Sequence, residues 1–289
     1  MINNLMSIGP NSDFDGMDSP FADPGESVIQ MLDDILENYQ NVSPEDEMKA
    51  LDMLDQAYEN EDPDETIELL LEALECDPAN VDIHLEFLDQ SFLEDQHLIP
   101  ILQRLKKIAR KKLGNALFKD GIGHFWLIHE TRPYMRVCYA LADEYFLQNQ
   151  YKKAIKEWED MLRLNPNDNQ AVRHPLLMCY LTERMLQKAE ALFERFDEIG
   201  GECCFSWGKV LFHFIQGDFD AAAATLIVAR KQNKYMEEFI NGTRKYSGAE
   251  HSHYALGSLE EAEILADTII VTWDKYPEAI EWLKQQGRK

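Results

Sequence analysis

Apolar residues recur at helical spacing along most of the chain. In the stretch from Val28 to Tyr39, Ile29, Leu32 and Leu36 lie three or four positions apart, which places them on one face of a helix. Proline and glycine, which interrupt helices, number only 11 and 14 in 289 residues. Hydrophobic residues make up 45% of the chain, enough for a sizeable core. The pattern predicts an all-α fold.

The predicted helices come in pairs that proline closes. Ser43 and Pro44 are typical of the start of a helix, and the second helix of that pair ends before Pro78. A similar pair runs from Arg132 to Pro166. One small residue recurs in three successive second helices, at spacings of 35 and 33 residues; these residues are Ala154, Ala189 and Ala222. A period of about 34 residues with two helices per unit predicts a helical-repeat solenoid.

Other local patterns predict faces and caps of individual helices. Leu51, Leu54 and Tyr58 are expected on one face of the helix that Ser43 starts. The polar run 167–169 (Asn, Asp, Asn) follows Pro166 and is expected to cap the next helix. Ser258 and Glu261 are expected to form a capping box near the C-terminus.

The best of the predicted pairs resembles a known repeat. Its order and spacing are carried by Leu141, Ala142, Tyr145, Ala154, Trp158 and Pro166, and they resemble the tetratricopeptide repeat. The likeness is strongest over 132–166 and weaker over 47–78 and 168–231. It implies that first helices line a concave groove and second helices form the outer wall. Two stretches, HFWLIHETRPYMR and LRLNPNDNQAVR, also resemble a group of bacterial tetratricopeptide proteins without an assigned activity, so this second likeness implies no activity.

The expected domain organisation is a disordered acidic tail over 1–27 and a solenoid over 28–289. Within the solenoid we expect repeats at about 47–80, 81–113, 132–167, 168–201 and 202–234, an insertion at about 111–131, and C-terminal capping helices at about 257–286. The insertion carries Phe125 and Trp126. It is interpreted either as an apolar plug that packs across two repeats or as a loop whose two aromatic side chains contact a partner.

Negative charge is concentrated in the first third of the chain. The formal net charge is −25, and residues 1–100 hold 27 acidic residues, with Lys49 as the single lysine or arginine. Such a region repels nucleic acids and anionic membranes, so neither is predicted as a partner. Residues 104–112 form the one dense basic run. The acidic third therefore serves solubility, binds a basic partner, or pairs with that basic helix.

Charged and polar residues near the starts of two first helices outline a candidate peptide site. The predicted groove residues are Arg132, Arg136, Asp143, Asn169 and Arg173. Guanidinium groups hold carboxylates through paired hydrogen bonds, so these arginines favour an acidic peptide or a C-terminal carboxylate. The Lys–Asn pattern of the tetratricopeptide clamp for chaperone tails is missing, since Tyr139 and Asp143 occupy the inward positions. In the alternative interpretation, the arginines pair with Glu130, Asp143 and Asp168 and fasten the repeats together.

Catalytic and metal-binding patterns are weak. Five cysteines without a C-x-x-C spacing predict buried thiols in a reducing compartment. His251 and His253 have no third ligand at metal spacing, so no metal site is predicted. A hydrolase or metal enzyme built around His124, His129 and Cys138 is kept as an alternative. No secretory signal and no run of about 18 apolar residues is found, which predicts a cytoplasmic protein without a membrane partner.

Together these observations predict a non-enzymatic adaptor or scaffold, without a cofactor, that binds a protein or peptide segment in the concave groove. A chaperone-like holder of a client protein is the alternative within the same class. The enzyme described above and an inert spacer are the alternatives outside it. No partner identity and no oligomeric state are predicted.

Overall fold

The computed structural model of the protein describes residues 23–38, 40–91, 93–198, 200–249, 251 and 253–287. These residues contain fourteen α-helices and no β-strand. The helices are α1 (Pro24–Asn38), α2 (Pro44–Glu59), α3 (Pro63–Cys76), α4 (Val81–Gln90), α5 (Asp95–Asp120), α6 (Arg132–Leu147), α7 (Tyr151–Leu164), α8 (Arg173–Thr182), α9 (Leu186–Phe196), α10 (Cys203–Gln216), α11 (Phe219–Gln232), α12 (Met236–Ile240), α13 (Leu259–Trp273) and α14 (Pro277–Gln285). The predicted all-α helical-repeat fold is confirmed.

Helix α1 begins earlier than predicted. It starts at Pro24, so residues 24–27, which were expected in the disordered tail, are helical. The backbone of Gly25 lies against the ring of His97 on α5, and a Cβ at this glycine would come within 2.3 Å of the ring. A carboxylate oxygen of Asp23 also accepts a hydrogen bond from the backbone N of Gly25 at 2.8 Å, which caps the helix at this early start. The rest of the predicted tail, residues 1–22, lies outside the described residues.

Short polar side chains start the acidic helices. The Oγ atom of Ser43 accepts a hydrogen bond from the backbone N of Asp46 at 3.1 Å, as its position before Pro44 predicts. A carboxylate oxygen of Asp62 accepts from the backbone N of Asp64 at 3.0 Å in the same way. These caps set where α2 and α3 begin.

The predicted cap of α8 is wrong. This helix begins at Arg173, its N-cap position is Val172, and no side chain caps it. Asp168 and Ala171 adopt left-handed backbone angles, with φ of 49° and 57°. The turn that follows α7 therefore extends past the polar run 167–169 before the helix starts.

The chain divides into two compact units. Unit 1 comprises the described residues of 1–148 and 160–169. Unit 2 comprises the described residues of 149–159 and 170–289.

In unit 1, α2 packs on α3, α3 packs on α4, and α5 contacts both α1 and α6. The core of this unit includes Leu70, Leu74, Ile83, Phe87 and Leu105, which are all buried. Their burial supplies the hydrophobic stabilisation of these helices.

In unit 2, α8 packs on α9 and α10, and α10 packs on α11 and α13. Trp207 and Trp273 are fully buried, with ring centroids 6.3 Å apart. Ala189 and Ala222, two of the recurring small residues, are 0% exposed. A small residue at a close helix contact leaves no room for a larger side chain, which explains the recurrence.

The predicted insertion is mostly helical. Helix α5 continues to Asp120, with a break at Gly114, where a φ of 70° favours glycine. Two short 3-10 turns follow, Phe125–Leu127 and His129–Thr131.

None of the helices among the described residues combines the length and the apolar composition that a bilayer crossing requires.

Candidate functional site

An open cavity of about 390 Å³ lies in unit 1, between α2, α4, α5 and α6. We call it the unit 1 groove. Its apolar lining is Leu51, Val81, Ala109, Leu113, Leu117, Pro133 and Tyr134, and its polar lining is Glu47, Asn80, Asp82, Lys112 and Glu130. An apolar floor with a few polar groups is the usual composition of a binding site.

The positive groups at the unit 1 groove are already paired. The Nζ atom of Lys112 lies 3.1 Å from a carboxylate oxygen of Asp77, a side chain that is 1% exposed. Lys112 also lies 3.9 Å from a carboxylate oxygen of Glu47. The guanidinium of Arg136 donates from Nε to Asp82 at 2.7 Å and from a terminal nitrogen to the second carboxylate oxygen. Acidic groups therefore outnumber unpaired basic groups around the groove.

Helix α2 carries exposed apolar side chains next to its buried face. Its buried face is formed by Ala50, Leu54 and Ala57. On the exposed face, Met48 is 61% exposed, Leu51 is 45% exposed and Tyr58 is 59% exposed. Of the predicted face Leu51, Leu54 and Tyr58, only Leu54 is buried, at 5% exposed, whereas Leu51 and Tyr58 lie on its exposed edge. We call Met48, Leu51 and Tyr58 the α2 apolar stripe.

Two of the predicted groove arginines lie on α6 in unit 1, and each has a partner within the same unit. The Nε atom of Arg132 donates to the backbone oxygen of Trp126 at 3.1 Å, and its guanidinium lies 5.3 Å from the Trp126 ring centroid. Arg136 pairs with Asp82, which lines the unit 1 groove. The structure therefore places Arg136 at the edge of this groove.

The other predicted groove residues lie elsewhere. Asp143 is on α6, where burial and the neighbouring Glu144 charge raise the pKa of its carboxyl. Asn169 is exposed at the end of unit 1. Arg173 is in unit 2, where its Nε donates to Glu198 at 2.8 Å. The structure thus pairs Arg136 with Asp82 and Arg173 with Glu198, two acids that the sequence interpretation did not name.

The aromatic residues of the insertion have different surroundings. Phe125 is 0% exposed, and its ring centroid lies 5.1 Å from that of Phe118 and 6.1 Å from that of Tyr134. The backbone N of Gly123 donates to the backbone oxygen of Leu164 at 3.0 Å. Phe125 is therefore a core residue that a partner does not reach, whereas Trp126 is half-buried beneath Arg132.

The basic run on α5 contacts acidic and carbonyl groups of unit 1. Arg104 donates to both carboxylate oxygens of Asp33 on α1, at 2.8 and 2.9 Å, and this contact lowers the pKa of Asp33. The Nζ atom of Lys111 donates to the backbone oxygen of Leu36 at 2.7 Å, near the end of α1. The basic helix thus has internal partners, which matches one of the three interpretations of the acidic third.

A second cavity, of about 500 Å³, lies in unit 2 and is lined by Ala223, Leu226, Ile227, Arg230 and residues 285–287. The Arg230 guanidinium donates to both carboxylate oxygens of Glu237, at 2.7 and 2.8 Å. It also donates to the backbone oxygens of Gln286 and Gly287. Arg230 thereby anchors the chain's own C-terminal segment.

The residues of the enzyme alternative are not accessible together. Cys138 is 1% exposed on α6, while His124 and His129 are exposed. Burial raises the pKa of the Cys179 and Cys204 thiols, which disfavours the reactive thiolate. Within the described part of the chain, no group of three or more His, Cys, Asp or Glu residues has a metal-binding arrangement.

Sequence reasoning missed the apolar lining of the unit 1 groove and Met48. A signal was present in α2, where Met48 lies three positions before Leu51 and Leu51 lies seven positions before Tyr58, at helical spacing. The lining from α4, α5 and α6 carries no such signal, because residues from distant parts of the chain meet only in the fold.

Comparison with family models relates part of the chain to a known repeat. A family model of the tetratricopeptide repeat matches residues 135–168. No curated protein matches the sequence. Tetratricopeptide repeats are typically non-enzymatic protein-interaction modules, and the helical-repeat fold supports such a role in general. The chain therefore carries a tetratricopeptide repeat, and the predicted relation to that family is confirmed.

Proposed function

We propose that the protein is a non-enzymatic adaptor that binds a segment of another protein in the unit 1 groove. The observation that carries the proposal is the open apolar cavity of about 390 Å³ in a helical-repeat unit. Leu51 lines this cavity and is 45% exposed, so a partner has access to it. Apolar side chains that water already reaches gain stabilisation when a partner covers them.

The predicted arginines have a defined place in this proposal. Arg136 fixes Asp82 at the groove, and Arg132 holds Trp126 on the neighbouring turn. Both side chains position acidic or aromatic groups that a partner segment contacts. An adaptor of this kind requires neither a nucleophile nor a cofactor.

Affinity capture from the source lysate, read by mass spectrometry, tests the proposal. Three baits are compared: the intact chain, Leu51→Glu in the unit 1 groove, and Ile227→Glu on α11 as a matched control. Ile227 is 71% exposed in unit 2, so its substitution introduces a similar charge at a similarly exposed apolar position. Circular dichroism and the unfolding midpoint verify that both variants fold.

We expect a specific protein to be recovered with the intact chain and Ile227→Glu and lost with Leu51→Glu. A partner that all three baits retain equally would place the binding site outside the groove and overturn the proposal. An empty capture would also overturn it and would favour the spacer interpretation. Arg132→Ala and Arg136→Ala, tested as further baits, show whether the two arginines take part.

A further inference from the structure

The exposed surface of α2 and α3 is acidic to an unusual degree. Lys49 is the single lysine or arginine among residues 40–91. The exposed carboxylates of these helices and their connection are Glu45, Asp46, Glu47, Asp52, Asp55, Glu59, Glu61, Asp62, Asp64, Glu65, Glu68, Glu72 and Glu75. Within the described residues, Glu47 is the only one of them at ion-pair distance from a basic side chain.

This acidic surface surrounds exposed apolar side chains. The α2 apolar stripe of Met48, Leu51 and Tyr58 lies on the same helix as Asp52, Asp55 and Glu59, and Leu51 continues the stripe into the unit 1 groove. Methionine, leucine and tyrosine are adaptable or large contact residues, and exposed apolar groups rimmed by charge are typical of interaction surfaces. Among the described residues, exposed apolar side chains and unpaired carboxylates therefore occur together on α2.

The rim of the unit 1 groove has the same sign of charge. Glu47, Asp82 and Glu130 line it, and Lys112 is its one basic lining residue. Lys112 contacts the buried carboxylate of Asp77, and this negative charge neutralises the positive charge of the lysine. A ligand that approaches the groove therefore meets a negative field.

We infer that the α2 apolar stripe and the adjoining unit 1 groove bind a basic amphipathic helix of a partner protein. The apolar face of that helix covers Met48, Leu51 and Tyr58, and its lysine and arginine side chains face the surrounding carboxylates. This inference rests on the proposed adaptor function and adds the chemistry of the partner. Opposite charge steers the association, and burial of the stripe supplies the affinity.

Two other occupants are disfavoured by charge. A second copy of this chain would bring the same acidic surface against itself. Residues 1–22 carry Asp13, Asp15 and Asp18 without a lysine or arginine, so they are repelled as well. Like charges brought together at an interface oppose association.

The direct test uses synthetic peptides and fluorescence anisotropy with the full chain. The probe is a leucine–lysine amphipathic helix of about 18 residues, which is about five turns. A leucine–glutamate peptide of the same pattern tests the sign of the charge. A lysine–serine peptide of the same charge tests the need for an apolar face.

We expect the leucine–lysine peptide to bind at least about tenfold more tightly than either control peptide. Raising the salt concentration from about 0.05 to 0.5 M should weaken its binding by about tenfold, because salt screens exposed charges. The triple variant Met48→Ser/Leu51→Ser/Tyr58→Ser should weaken it by about tenfold, whereas Phe219→Ser/Ile227→Ser on exposed positions of α11 should not.

Several outcomes would overturn the inference. If the lysine–serine peptide bound as tightly as the leucine–lysine peptide, the binding would be non-specific attraction between charges. If the leucine–glutamate peptide bound as tightly, the inferred positive charge of the partner would be wrong. If the α2 triple variant and the α11 double variant lost peptide binding to the same extent, the binding site could not be assigned to α2. Dimers in light scattering that the triple variant abolishes would assign the stripe to a second copy. Failure in these assays together with a partner lost by Leu51→Glu in lysate capture would leave the adaptor proposal standing.

Discussion

Two sets of carboxylates, one in each unit, have different surroundings. In unit 2, Glu237, Glu261 and Glu263 have buried side chains, and each accepts hydrogen bonds from several donors or a guanidinium. In unit 1, the carboxylates on the surface of α2 and α3 face water, and nearly all lack a basic partner among the described residues. These three acids of unit 2 therefore hold the fold together, whereas the exposed acids of α2 and α3 contribute little to it. Acids without a structural role are available for a partner.

The largest effect that this contrast predicts is at Glu261. Its carboxylate is 0% exposed and accepts from Asn233 Nδ2 at 2.8 Å, from the backbone N of Gly257 at 2.7 Å, and from Gln232 Nε2. Glu261→Ala leaves these buried donors without an acceptor, and we expect the free energy of unfolding to fall by about 3–5 kcal/mol. Urea denaturation followed by circular dichroism measures this change.

The matched control is Glu68→Ala on α3, where the side chain is exposed. We expect its free energy of unfolding to stay within about 0.5 kcal/mol of the native value. If the two substitutions cost the same, the distinction between structural and surface acids fails.

A second prediction concerns pH and a buried histidine of unit 1. His84 is 1% exposed, and its Nε2 lies 2.8 Å from the backbone oxygen of Pro78. Burial lowers the pKa of His84 to about 4, and the Pro78 carbonyl and the Asp77 charge oppose that shift. The neutral ring is thus the folded form, so stability is complete above a pH of about 6.5 and is lost as the pH falls towards 4.

Between pH 7 and pH 5 this group should cost about 2 kcal/mol of unfolding free energy, since the unfolded state binds the proton and the folded state does not. His84→Gln keeps a side-chain amide for Pro78 and does not titrate, so it should lose less stability over the same range. Urea titrations of both proteins at the two pH values make the comparison. Parallel pH curves for both proteins would show that His84 is not the group responsible.

Local order along the chain was predictable because helices depend on neighbouring residues. The Ser43 cap and the recurring small residues of α9 and α11 follow from spacing alone. The capping box at Ser258 is only half formed: Ser258 accepts from the backbone N of Glu261, but the carboxylate turns to Gly257, Gln232 and Asn233. Two of these partners, Gln232 and Asn233, lie almost thirty residues away in the sequence, at the C-terminal end of α11.

Long-range pairing was not predictable for the same reason. Arg136 pairs with Asp82, 54 residues away, and Arg173 pairs with Glu198, 25 residues away. The unit 1 groove is lined by side chains from four helices, and the residue pattern of one helix does not predict which residues of the other three it meets. Such contacts depend on tertiary packing rather than on local spacing.

A third prediction sharpens the contrast through two ion pairs of different burial. The side chains of Arg136 and Asp82 in unit 1 are 43% and 20% exposed, whereas those of Arg230 and Glu237 in unit 2 are 20% and 7% exposed. Double-mutant cycles with Ala and Gln substitutions should give a coupling of about 0.2–1 kcal/mol for the first pair. The second pair should give a larger value, because water screens it less. A larger coupling in unit 1 would contradict the expected order.

The smallest expected effect lies on the α2 surface itself. Asp52, Asp55 and Glu59 stand three and four positions apart, where like charges on a helix repel by about 0.2–0.5 kcal/mol per pair. Asp52→Asn/Asp55→Asn should therefore leave the free energy of unfolding unchanged or raise it by a few tenths of a kcal/mol, and the gain should vanish at high salt. The same variant should bind the leucine–lysine peptide less tightly. A loss of more than about 1 kcal/mol in urea denaturation would mean that these acids hold the fold as those of unit 2 do, and the α2 surface would then need no partner to explain it.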